Sequence, residues 1–512
     1  DIKISIIAFI SGSFLLGAAP YGDAYLGSAR EKDGLKIFDR LYTVFIFSAG
    51  IAIFSWQIMD IPPGIHGDEN CTVTMAQRIG AGEYLRVILE PPQYNGMSTL
   101  YYLIIAIAGK IFGGIDIQTA RWFSVLTGAM GLSFLYLLVK NIFNRRAAIT
   151  ASLLMSCFFM YVFYSRNALQ WIHVPAVAVM AYYLFFKAIK TGRPVFYVLA
   201  GAAIALDLCF YSAGKVSPFI VLAYITLMML RKETRPAFAA NTGNIALLWL
   251  ALVLFFSPII DYMINYPDRY FMRMSSLKVV QGFPSDLQQY QALTANIIKN
   301  IQMFFTEASP GYCHNIPSKP FFDGFAAFVA LCGLGWLLTT WKREASSFVI
   351  LWLFFGLLPG FLSRLGPEDP YPARTVMAIP AIMITLSLGL DRILARIESL
   401  WPSVLGKVAP IIIAFFVSWF CYGNLRDYFV VFNNDPHTQT YYKMAEKIVA
   451  KRVIKDKNTD FLVTVRMGTS FYFNITRGLD MSRIRLDNPS VFSLSKVYND
   501  RGRDVSLIAE GI

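Results

Sequence analysis

Apolar runs of roughly 15 to 20 residues recur along this chain up to about residue 423, each near the length of helix that crosses a hydrocarbon core of about 30 Å. A chain with that repeat must use lipid as the solvent for most of its surface. Composition agrees: of 512 residues, 56% are hydrophobic and 15% are charged, against about 25% charged in soluble globular chains. Mean hydropathy is +0.49. Spans are expected near 2–20, 41–59, 117–139, 148–164, 171–186, 195–211, 216–230, 244–260, 322–341, 346–362, 374–390 and 404–423. This gives an all-α polytopic membrane protein of about twelve transmembrane helices over 1–423. The more polar tail, 424–512, is expected to form a small soluble α/β domain from a helix at 438–453 and strands at 461–465 and 505–511.

Residues 2–20 precede Arg30, Lys32, Lys36 and Arg40, the reverse of a signal peptide's order, so they are expected to be a retained helix. The net charge of +13 is spread between apolar runs rather than clustered as in a nucleic-acid binder. It reports topology. With the 21–40 loop inside, the inner loops carry Lys140, Arg145 and Arg146; Lys187, Lys190 and Arg193; Arg231, Lys232 and Arg235; Lys342 and Arg343; Arg392 and Arg396. The short outer loops hold little beyond Arg166, Lys215 and Arg364. Segment 98–113 breaks this asymmetry if it spans, so it is expected to be an amphipathic helix at the outer interface. Two outer segments, 60–116 and 261–321, are then too long to be connectors, and long loops are usually functional.

The first outer loop opens IPPGIHGDEN, where Pro62, Pro63 and Gly64 end a helix and leave Asp68 and Glu69 at the membrane surface. Asp68 in that place can cap the next helix, act chemically, or both. Glu90, Pro91 and Pro92 follow, then FYSRNALQW (163–171) and FYSAGKVSPF (210–219) at the outer ends of two spans. Arg166 and Lys215, basic residues outside, either snorkel to headgroups or, with Arg364 and Arg374, cradle a phosphate. Asp207, deep in an apolar run and about two helical turns from Lys215, is expected to form a structural ion pair with it. His66, His173, His314 and His437 all fall on or near the outer side. With Glu69 or Glu90 they could offer ligands to a divalent metal, yet no ligand spacing marks a site, so no cofactor is assigned. Of the six cysteines, Cys71 and Cys313 alone lie in long outer loops and are expected to be bridged.

The order of these motifs, Asp68 and Glu69, Glu90 to Pro92, Tyr164 to Arg166, Lys215 and PARTVMAIPAI (372–382), resembles the GT-C glycosyltransferases related to protein O-mannosyltransferases and to the aminoarabinose transferases that modify lipid A. The resemblance implies a polyprenyl-phosphate sugar donor, a lipid, glycan or protein acceptor, and inversion at the anomeric carbon. Asp68, with Glu69, would be catalytic. Arg166, Lys215 and Arg374 would hold the donor phosphate, with Glu90, Tyr164 and Tyr211 against substrate. The site and the tail would face the periplasm from the inner membrane. Asn167 and Gln170 stand where the family often carries an acid, and the HPPLGK and WWDYG motifs of the mannosyl- and oligosaccharyltransferases are absent, which favours the bacterial aminoarabinose and galacturonosyl type. The rival classes are a transporter or lipid flippase, for which buried charge marks a pathway, and a non-catalytic membrane scaffold. No internal repeat favours a transporter.

Overall fold

The computed structural model describes residues 33–83, 97–276, 285–363, 369–400, 402–456, 459–464, 484–487 and 504–508. Among these, eight helices are long and apolar enough to cross a membrane, or nine when α5 (Arg145–Cys157) and α6 (Phe159–Arg166), bent by 59° at Phe158, are counted as one span. The protein is thus a multi-pass, mostly helical membrane protein. Expected spans 195–211 and 322–341 are shorter helices, Pro194–Leu208 and Gly324–Thr339, and the expected span 2–20 lies outside the described residues.

Helices α1 (Asp33–Ser55), α4 (Ile117–Ile142), α7 (His173–Thr191), α8 (Pro194–Leu208) and α10 (Thr242–Asn265) pack as successive neighbours. Their outward faces carry exposed Leu41, Phe45, Leu199, Leu250 and Phe255, as lipid contact requires. At one end of the bundle Asp39 of α1 accepts from Tyr136 and Lys140 of α4 and, at 2.8 and 2.9 Å, from Arg145 of α5. Arg146 pairs with Asp391. The basic residues that mark the expected inner side therefore also tie helices together.

Helices α12 (Gly324–Thr339) and α14 (Ile379–Leu400) cross nearly backbone to backbone. A Cβ on Gly333 would lie 1.9 Å from Thr385 O, and one on Gly389 would lie 1.9 Å from Val329 O. Without a hydrophobic drive inside lipid, such close approach of small residues supplies the packing. The remaining labelled helices are α2 (Gly67–Gly80), α3 (Leu100–Phe112), α9 (Ser217–Leu230), α11 (Asp286–Phe305), α13 (Glu344–Phe361), α15 (Pro402–Arg426) and α16 (Met444–Lys455).

Helix α3 matches the amphipathic segment expected at 98–113. Its 13 residues span about 20 Å, too short for a bilayer, and it buries Tyr101, Tyr102 and Ile105 while exposing Ile107, Ile111 and Phe112. Three spans share a further device. A 3-10 turn precedes each: Gln170–Ile172 before α7, Ser212–Val216 before α9 and Pro372–Ala378 before α14. Pro175, Pro218 and Pro380 stand in the first turn of those helices. Lacking an N–H, they cannot bond the carbonyls four residues back, at Trp171, Gly214 and Val376, so the α ladder stops and the chain continues upstream as a tighter turn.

Beyond α15 the chain runs through a π-helical turn, Asp427–Phe432. The helix expected at 438–453 is two, Pro436–Tyr441 and α16, broken at Lys443, whose φ is +56°. Strands Thr459–Thr464, Ile484–Asp487 and Asp504–Ile508 form a parallel sheet with the first in the middle, and the second of these went unanticipated.

Gly389→Ala should destabilise the protein by about 1–3 kcal/mol, the usual cost of overpacking, and lower its thermal midpoint in detergent. Gly423→Ala, where an added Cβ meets nothing within 4 Å, should leave that midpoint unchanged.

Candidate active site

The stretch 53–69 is held by two buried arginines. Arg121, on α4 and 1% exposed, donates from Nε and Nη2 to the two carboxylate oxygens of Glu69 at 2.9 and 2.8 Å. Its remaining donors reach Ile58 O and Gly64 O at 2.8 and 2.7 Å. Glu69, fully buried, also accepts from the backbone N–H groups of Ala168 at 2.7 Å and His66 at 2.9 Å. Burial alone would raise its carboxyl, but Arg121 and these two amides outweigh it and hold Glu69 below its ordinary value. The second expected catalytic acid is therefore a structural one: its oxygens are committed to Arg121 and the backbone.

Arg166 likewise departs from the expected phosphate role. It is fully buried, and its guanidinium donates to Ile53 O, Phe54 O, Trp56 O and Ile61 O at 2.6–3.0 Å. These include carbonyls that the end of α1 leaves without helical partners. Phe429 covers its other side, with the guanidinium 4.7 Å from the ring centre. The cation serves the fold.

Asp68 points elsewhere. His66 caps α2, its Nδ1 accepting from the Asp68 N–H at 3.0 Å. The cap thus uses the backbone of Asp68, and its side chain stays 41% exposed. It lines a small cleft with Thr72, Tyr102, Gln170, Trp171, Tyr211 and Tyr371. The Trp171 ring is the wall's centre, 6.2 Å from Tyr211 and 6.3 Å from Tyr371 between ring centres. Tyr371 is pushed up by burial first, then by its neighbours Tyr211 and Asp68.

Lys215 and Arg374 sit on the 3-10 turns that follow Tyr211 and Tyr371, and those two turns touch. Lys215 lies over the Tyr270 ring at 4.5 Å. Arg374 pairs with Asp369 at 2.9 Å and covers Tyr371 at 5.3 Å. Tyr164 stands behind the wall, edge-on to Trp171 at 5.4 Å, and is fully buried. The structure therefore gathers Asp68 and Tyr211 at one cleft, with Lys215 and Arg374 on its adjoining turns. Tyr164 lies in the layer beneath, and Arg166 and Glu69 lie in the support. Glu90 and Arg364 fall outside the described residues.

Two expected pairings are not formed. Asp207 is buried and not paired with Lys215, because α8 ends at Leu208 and the 3-10 turn carries Lys215 away over Tyr270. Cys71 and Cys313 are not joined by a disulfide. Cys313 instead meets His66 and His314, all three buried, with one ligand atom from each within 4.8 Å of the others. The sequence reading missed Arg121, Trp171 and Tyr371 as site-building residues. For Arg121 a signal existed, since a charge inside an apolar run demands a partner; an aromatic wall leaves no such mark.

The fold is a known one: the chain shares it with solved GT-C glycosyltransferases. Residues 98–262 match the family described as dolichyl-phosphate-mannose-protein mannosyltransferase. An oligosaccharyltransferase from Archaeoglobus fulgidus is similar over 90% of this chain and 66% of its own, at 13% identity and a TM-score of 0.53. This chain spans just under two thirds of that protein's length. The same archaeal enzyme has been solved in complex with an inhibitory peptide and a dolichol-phosphate. ArnT from Cupriavidus metallidurans, bound to undecaprenyl phosphate, is similar over 87% of this chain and 85% of its own, at 12% identity and a TM-score of 0.51. No curated protein sequence matches the chain.

Arg121→Met should cost about 3–5 kcal/mol, since it strands the Glu69 carboxylate in a buried site. The measurement is thermal unfolding in detergent. Adding Glu69→Gln to that variant should recover part of the loss, which two independent sites would not do.

Proposed function

We propose that the chain is an inverting glycosyltransferase that takes a sugar from a polyprenyl-phosphate donor and works in the Asp68 cleft. One observation carries the reading: a half-exposed carboxylate and two cation-bearing turns meet at one cleft, at the ends of apolar spans. A polyprenyl tail stays in hydrocarbon while its phosphate sits at headgroup depth, so cations are needed at that level. Lys215 and Arg374 supply them. Asp68 takes the proton from the acceptor's hydroxyl or phosphate as that oxygen attacks the anomeric carbon from the face opposite the phosphate. The bond from that carbon to the phosphate oxygen breaks, and the two cations offset the charge growing on the leaving group. Tyr211, Tyr371 and Trp171 give the sugar an aromatic surface.

The topology belongs to the same reading. Twelve spans over 1–423 place the cleft on the outer, periplasmic face of the inner membrane, with 424–512 as an extracytoplasmic α/β domain. The supports are the Lys and Arg bias of the loops and the matches to lipid-phosphate-bound proteins. Mass spectrometry of lipid co-purifying with the protein identifies the donor. A polyprenyl-phosphate sugar is the expected result.

Asp68→Asn should fold normally, because its cap contact runs through the backbone, yet lose at least about two orders of magnitude in transfer rate. A fully active variant would overturn the base assignment. Lys215→Ala should weaken donor binding and turnover together, since phosphate charge is present in the ground state and grows in the transition state; unchanged donor affinity would remove Lys215 from the site.

A further inference from the structure

The cluster of His66, Cys313 and His314 has no part in the proposed transfer, and its chemistry points to a ligand of its own. All three residues are buried, at 4%, 5% and 1% exposure. His314 has no hydrogen-bond partner for either ring nitrogen among the described residues. An imidazole shut away with both polar atoms unsatisfied is costly unless something binds it. Trp171 and Tyr371 meet its ring edge-on at 4.6 and 4.5 Å and close it off without bonding it.

We propose that His66, Cys313 and His314 bind a transition-metal ion of the zinc class, which fastens the segment between α11 and α12 to the start of α2. Two imidazoles and a thiolate suit a borderline ion and do not suit magnesium or calcium, which demand oxygen. Tetrahedral zinc with bonds of about 2.0–2.3 Å sets its donors roughly 3.3–3.8 Å apart. The donors here lie within 4.8 Å of one another, so closing by about 1 Å completes the three-ligand set. The Tyr441 hydroxyl, 3.2 Å from His66 Nε2, borders the fourth position. Tyr442 Oη donates to Cys313 O at 2.8 Å and orients that ligand from outside.

Proton changes on binding follow from the geometry. The Cys313 thiol releases its proton to solvent. His66 Nδ1 now accepts from the Asp68 N–H, which leaves the ring proton on Nε2. Binding of the ion at Nε2 moves that proton to Nδ1, which gives up the bond it accepts from the Asp68 N–H and donates instead toward Asp68 Oδ2, now 3.9 Å away. The ion would then orient the Asp68 carboxylate through His66, a positioning effect. The site itself is independent of the glycosyl-transfer reading; only its effect on turnover rests on the proposed role of Asp68.

The test is metal analysis of the full-length protein purified in detergent, with cobalt(II) titrated into the zinc-depleted sample. One equivalent of zinc and a thiolate-to-cobalt charge-transfer band are expected. Alkylation mapped by mass spectrometry should show Cys313 protected by zinc and Cys71 not. Cys313→Ser and His314→Ala should bring bound zinc to background, and Cys71→Ser should leave it at one equivalent. The proposal is overturned if the wild-type protein takes up neither ion, if zinc leaves Cys313 unprotected, or if the Cys313→Ser, His314→Ala double variant keeps its zinc. Should those variants fail to fold, the cobalt band and the alkylation map on the wild-type protein decide alone. Loss of transfer in a protein that retains its zinc would count against the glycosyltransferase reading and leave the metal site standing.

Discussion

The buried pair of Arg121 and Glu69 is the contact on which the cleft depends. Two charges taken out of water cost several kcal/mol each, and the pair is tolerated only when the remaining donors and acceptors are also used. Here they are: Glu69 accepts from Arg121, His66 and Ala168, and Arg121 reaches Ile58 and Gly64 besides. This joins three stretches of chain, 58–69, 121 and 168, that share no local sequence. It also aims Asp68. Successive residues of an α-helix point about 100° apart, so burying Glu69 at the start of α2 turns its neighbour toward the cleft.

A second constraint comes from proline. Pro175, Pro218 and Pro380 each stop a helical ladder at the same end of the bundle, and the 3-10 turns that result carry Trp171, Lys215 and Arg374. A continuous α-helix would have pointed those side chains along lipid-facing or packed faces at fixed 3.6-residue spacing. The tighter turn redirects them. In this way apolar spans, which need uniform helical backbone inside lipid, end in polar structure at the level where a charged headgroup lies.

Eight of the expected spans, and a ninth as a bent pair, were legible in the sequence because lipid enforces them locally: every backbone group must bond within its own helix, so length and hydropathy mark them, while 195–211 and 322–341 are shorter helices. Roles that depend on distant partners were not legible. Arg166 reads as an exposed cation because YSR stands at the end of an apolar run, yet the bend at Phe158 swings it beneath α1, where carbonyls 105 to 113 residues away accept from it. Asp207 and Lys215 look like one helical pair until the chain breaks between them. The histidines could be placed on the outer side from sequence, but that His66 and His314 share a pocket with Cys313 depends on folding across about 250 residues, and no spacing rule reaches so far.

The stretch after α15 shows how far the Asp68 end of the bundle is built as one unit. Ile65 N donates to Tyr442 O at 2.8 Å, and a Cβ on Gly64 would lie 1.8 Å from that oxygen, so the two backbones touch where only glycine fits. Lys443, in the left-handed region, breaks the helix expected at 438–453 and lets Tyr442 turn inward to Cys313 O while Tyr441 reaches His66. Lys447 adds a bond to Asp60 O at 3.0 Å. Residues 441–447 therefore clamp both ends of the loop that leads to Asp68. A non-glycine residue spends strain energy in the left-handed region, and here that strain is offset by contacts that stiffen a carboxylate's platform. Ile61 and Ile65 of that loop are themselves buried, and the proposed base gains from being held to within a fraction of an ångström. Stiffness at Asp68 is thus borrowed in part from residues 441–447, which fold beyond α15.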